Sequence, residues 1–82
     1  MSNYNSYEFR TFDLALSSAL VTEGFLVIGI EKSSAGKATF LFETTPALKT
    51  AVDNYWSDKL KVNPKAYFDA MKHLKTRIYS GV

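Results

Sequence analysis

The one histidine of the chain, His73, follows Asp69 by four residues. On a helix that spacing places both side chains on one face. An imidazole and a carboxylate there could supply two ligands to a divalent metal, or a base and its orienting partner. Neither use is complete. A metal needs further convergent ligands, and with no cysteine the chain offers no thiolate. No Gly-x-Ser-x-Gly turn occurs, and a solvated Asp–His pair is the plainer reading. Glu31 and Glu43 carry no sign of a general acid/base pair. "EKSSAGKAT" has a lysine and small residues, but not the Gly-x4-Gly-Lys-Ser/Thr spacing that cradles phosphates, so it reads as a turn. The sequence therefore assigns no catalytic residue, no metal site and no cofactor, and a non-enzymatic role is expected.

A second constellation is larger. Lys65, Phe68, Lys72, Lys75 and Tyr79 recur at i, i+3, i+7, i+10 and i+14, one continuous strip of a helix. Cations in a row suit a phosphate backbone, and aromatic faces between them suit unstacked bases. Arg77, Lys59 and Lys61 would extend the field. The competing reading is structural and is preferred. Phe68 and Tyr79 would widen a core stripe, with the lysines at its rim and in the favourable last turns of the helix. Trp56 has two readings as well: a core ring that locks the turn after a helix, preferred in so small a domain, or an exposed anchor for a partner or a base.

These residues need elements to hold them. "TFDLALSSALVTEG" reads as a helix, with Thr11 as N-cap, Leu16, Ala19 and Leu20 on its apolar face, and Gly24 as its stop. "FLVIGIEK" and "KATFLFE" read as strands joined by the three-residue turn Ser34-Ala35-Gly36, with Gly36 left-handed. That hairpin pairs Ile30 with Phe40 and Ile28 with Phe42. One face then carries Leu26, Ile28, Ile30, Ala38, Phe40 and Phe42, and the other Phe25, Val27, Gly29, Thr39 and Leu41. The second face is too apolar for open solvent, so Phe25, Val27, Leu41 and Trp56 are candidate protein-contact residues. Thr45-Pro46 and Asn63-Pro64 are helix starts. Their core stripes are Leu48, Ala51, Val52 and Tyr55, then Tyr67, Met71, Leu74 and Ile78. "DKLKV" between them is a linker or a short third strand over residues 59–62.

The order is α-β-β-α-α, an α+β class: one domain over residues 9–82 behind a frayed polar segment, residues 1–8. The chain has 82 residues, 46% of them hydrophobic and 15% aromatic, too apolar for disorder and short enough to gain from a partner. Without cysteines it cannot be a disulfide scaffold, which points to a reducing compartment and hence the cytoplasm. No apolar run nears the roughly 18 residues of a membrane span. The formal net charge is +2. Residues 1–56 hold four Lys/Arg against six Asp/Glu, and residues 57–82 hold six against two, so the basic excess lies in the last third.

Thr11 to Ser80 also resembles a known family. The resemblance rests on "TFDLALSSALVTEGFLVIGIE", "ATFLFETTPALKTAVDNYW" and "LKVNPKAYFDAMKHLKTRIYS". Within these stretches it rests on the Thr-x-Asp-Leu start, the Gly before the first strand, the Phe-x-Phe-Glu strand end and the closing Leu-Lys-x-x-x-Tyr. The chain is similar there to a small domain of unknown function found in short bacterial and phage-associated proteins. The resemblance implies a stand-alone intracellular domain from a phage or mobile-element context, and no activity.

Residue types and resemblance together lead to a non-catalytic interaction module acting through protein contacts, with itself as a homodimer or with another protein. The alternative is a nucleic-acid-binding accessory protein using the strip on the last helix. A further alternative is a protein that sequesters a small anionic ligand such as a nucleotide messenger. A membrane partner is not expected.

Overall fold

The computed structural model describes residues 8–80. Six elements follow in order: β1 (Glu8–Thr11), α1 (Leu14–Thr22), β2 (Val27–Lys32), β3 (Ala38–Glu43), α2 (Pro46–Trp56) and α3 (Pro64–Ser80). The fold is α+β, with the five expected elements in the expected order and one strand ahead of them. β1 begins at Glu8, within the segment expected to fray, and residues 1–7 lie outside the described residues.

Local chemistry sets most boundaries. Thr45 Oγ1 accepts from the Leu48 amide at 3.0 Å, with Pro46 at the first helical position. Asn63 Oδ1 accepts from the Ala66 amide at 2.9 Å and opens α3 in the same way. α1 departs from expectation by two residues. Asp13 is its cap, accepting from the Leu16 amide at 3.0 Å, while Thr11 closes β1 and its Oγ1 accepts from the Asp13 amide. The end of α1 is a Schellman motif at Gly24, whose φ of 105° a side chain would strain. The Phe25 amide reaches the Leu20 carbonyl at 3.0 Å and the Gly24 amide the Val21 carbonyl at 2.9 Å. α2 ends on the same motif, but with Asp58 at φ 61° in the left-handed position and the Lys59 amide on the Asn54 carbonyl at 2.8 Å.

The sheet order is β1-β3-β2, antiparallel at both junctions. β1 and β2 are thus parallel to each other, joined by α1 and separated by β3, a split β-α-β unit. The turn at residues 34–36 is as expected, with Gly36 at φ 86° and the Ser33 amide on the Lys37 carbonyl at 2.9 Å. "DKLKV" is not a strand; it forms the connection between α2 and α3, and β1 takes the third place in the sheet.

The hairpin register is half as expected. Ile30 pairs with Phe40, but a β-bulge between Val27 and Gly29 puts Val27, not Ile28, opposite Phe42. Ile28 is the extra residue of the bulge, so the start of β2 is turned over. Val27 and Phe25 pack against the core, and Leu26 and Ile28 face solvent. One sheet face, bearing Phe9, Val27, Ile30, Phe40 and Phe42, joins Leu16 and Leu20 of α1, Leu48 and Ala51 of α2 and Leu74 of α3 in a single core. α1 is apolar nearly all round and packs most closely against α3. Ser17 and Ser18 lie fully buried in it, where small side chains let helices approach.

The opposite sheet face is closed by an arginine rather than by a helix. Arg10 stands opposite Leu41 and Glu31 opposite Thr39, so the Arg10–Glu31 ion pair bridges β1 to β2 across β3. A second contact from Arg10 reaches Glu8 at 3.4 Å. Leu41 lies beneath this bridge, over the bare backbone of Gly29: a Cβ added there would stand 3.0 Å from Leu41 Cδ1. Leu41 is buried on this face.

Candidate interaction surfaces

The groups with catalytic potential are not gathered. Asp69 turns to Lys65, which donates to it at 3.1 Å, and both it and His73 are exposed. Glu31 is held by Arg10. Glu43 lies four residues along the sheet from Thr39, the partner of Glu31, or about 13 Å away at 3.3 Å per residue. Among the described residues no three His, Asp or Glu side chains converge as a metal site. The Tyr55 phenol titrates above its ordinary value, raised first by burial and then by the negative potential of Asp13 and Tyr67.

Exposed apolar residues define two surfaces instead. The first is the outer edge of β2. Leu26, just ahead of the strand, is 78% exposed and Ile28 within it 53%, and β2 has no sheet neighbour on that side among the described residues. Beside the bulge lies a groove of about 200 Å³, lined by Phe42, Gly24, Leu26, Ile28 and Thr45 among others. Ligand pockets usually span about 300–1,000 Å³, so the groove suits a side chain better than a cofactor. A wider depression of about 530 Å³ at the start of α2 is lined by Glu8, Thr44, Thr45, Pro46 and Lys49. Of the contact residues expected from sequence, Phe25 and Val27 are half-buried against the core and Leu41 is buried. The apolar face they were to form is shown by Leu26 and Ile28. Nothing in the sequence marks the exchange, because Phe25, Leu26, Val27 and Ile28 are all apolar and a one-residue shift leaves the pattern unchanged.

The second surface is the solvent face of α3. Phe68 is 56% exposed and Tyr79 81%, so neither ring widens the core stripe, which Leu74, Met71 and Ile78 fill. Lys65, Lys72 and Lys75 are exposed along the same face, and Lys72 Nζ lies 5.0 Å from the Phe68 ring centroid. Arg77 is elsewhere. It is half-buried, and two residues on a helix turn it roughly 200° from Lys75. Trp56, at the end of α2, is 63% exposed, against the preferred core reading. Its neighbour Tyr55 turns inward and meets the indole edge-on at 4.9 Å.

Residues 6–80 match the family model described as a domain of unknown function, DUF5659. The chain belongs to DUF5659. The match spans every element of the fold, so the DUF5659 unit is the whole domain and not one part of it. Neither a comparison with curated proteins nor one with solved structures returned a match. No helix of the DUF5659 domain, among the described residues, is long and apolar enough to cross a membrane.

Proposed function

We propose that this protein is a non-catalytic interaction module whose contact element is the free edge of β2. The observation that carries the reading is the exposure of Ile28, and of Leu26 just ahead of β2, at a strand edge unpaired among the described residues. An open edge presents unused amide and carbonyl groups in register for another strand. Two neighbouring apolar side chains beside it add the burial that main-chain pairing lacks. The far end of the strand, Glu31 and Lys32, is charged, which limits indiscriminate stacking to the Leu26–Ile28 half.

The occupant we assign first is a second copy of the chain. Antiparallel pairing about a two-fold axis satisfies two such edges with one interface, and it would extend the sheet from three strands to six. A cytoplasmic setting is part of the proposal, supported by the absence of cysteine. A bacterial or phage-associated origin is part of it too, supported by the resemblance of Thr11 to Ser80. Light scattering across a dilution series tests the assignment. A dimer mass that falls to the monomer on dilution, together with a monomeric Leu26→Ser, Ile28→Ser variant of unchanged circular dichroism, is expected. A wild-type protein that stays monomeric throughout removes the self-pairing form.

A further inference from the structure

We infer that the solvent face of α3 is a second binding surface, and that its ligand is single-stranded nucleic acid. The order of side chains along the face carries this. Phe68, Lys72, Lys75 and Tyr79 run ring, cation, cation, ring over eleven residues, about 16 Å of helix at 1.5 Å per residue. Both side chains are exposed to solvent. Lys72 rests against the Phe68 ring, so a cation stands beside a stacking surface before any ligand arrives. Lys65 is partly neutralised by Asp69, which leaves Lys72 and Lys75 as the unpaired charges of the strip.

That pairing of groups selects among polyanions. A duplex offers phosphates but keeps its bases stacked, so the rings would gain nothing from it. An acidic peptide would meet the lysines but carries no regular series of planar faces. A single nucleotide has one base and can stack on one ring at a time. An unpaired strand uses the whole strip, with phosphates on the lysines and bases on both Phe68 and Tyr79. Two phosphate contacts on a single strand give a log–log salt slope of about −1.4. The surface lies on a different element from the β2 edge, and its test is independent of self-association.

The test is fluorescence anisotropy with a labelled oligothymidylate of about twelve nucleotides, its duplex with the complementary strand, and polyglutamate. Single-strand affinity should fall about seven-fold between about 50 and 200 mM salt. Lys72→Gln with Lys75→Gln should abolish most of that salt dependence. Phe68→Leu and Tyr79→Leu keep apolar area but lose the π-face, and each should weaken binding by about five-fold or more. All four positions are exposed, and circular dichroism confirms that each variant is folded. No binding at low salt overturns the inference. So does equal binding of duplex, and so does binding of polyglutamate that ignores the ring substitutions, which would make the face a site for acidic protein segments.

Discussion

Replacing Ser17 with Ala should stabilise this domain, against the usual direction of a core substitution. Ser17 is fully buried in α1, and its hydroxyl has no hydrogen-bond partner among the described residues. A buried hydroxyl left unpaired costs about 1–3 kcal/mol. Alanine also gains up to about 0.5 kcal/mol of helix propensity over serine. Against this stand the few dispersion contacts of one oxygen, at about 0.1–0.2 kcal/mol each. The net expectation is about 1–2 kcal/mol in favour of the variant. At about 4–8 °C per kcal/mol for a domain of this size, that is a Tm rise of roughly 5–15 °C. Ser18→Ala is the control. Ser18 is equally buried, but its hydroxyl donates to the Leu14 carbonyl at 2.7 Å, so its loss should cost about 0–1 kcal/mol. Thermal and urea unfolding should be followed by far-ultraviolet circular dichroism, because Trp56 is too exposed to report faithfully on the core. A Ser17→Ala variant no more stable than wild type would refute the reasoning, and would mean that the hydroxyl is satisfied after all.

Asp58→Gly should raise the urea midpoint by the equivalent of about 0.5 kcal/mol. It removes the cost of a left-handed non-glycine residue, partly offset by the greater freedom of glycine in the unfolded chain. Leu74→Ala removes the one fully buried side chain of α3 and should cost about 2–5 kcal/mol. For 82 residues at about 0.05–0.15 kcal/mol each, the total stability is about 4–12 kcal/mol, so at mid-range values the urea midpoint should fall by roughly 40%. Tyr55 gives a pH signature. Its folded pKa is raised, so its contribution is fully present below about pH 10 and is lost above it, as the unfolded phenol ionises first. Melts at pH 9 and 11 should show a smaller alkaline loss for Tyr55→Phe than for wild type.

The parts of the fold legible in the sequence are those fixed by one or two residues acting locally. Thr45-Pro46, Asn63-Pro64, Gly24 and Gly36 each stop or start an element through a bond or a dihedral angle that no distant contact overrides. What was not legible depends on partners far along the chain. β1 is four residues with one large apolar side chain, and its strand character comes from pairing with β3. The bulge at Ile28 is hidden by a run of apolar neighbours, and with it went the identity of the exposed edge residues. Trp56 and Tyr55 look equivalent in sequence, yet a single turn of about 100° sends one ring outward and the other in. On α3 the spacing fixed which residues share the strip, but not on which side of the core boundary the strip falls.

The position of β3 between β1 and β2 also has a consequence for the time order of assembly. Ile30 and Phe40 are ten residues apart, while Phe9 and Phe42 are thirty-three apart. Closing the longer loop costs about 1 kcal/mol more in chain entropy. On loop closure alone, the hairpin is therefore favoured to form before β1 docks as a four-residue strand onto the other edge of β3. A load attached ahead of Glu8 should then slow the docking of β1 and leave closure of the hairpin unchanged.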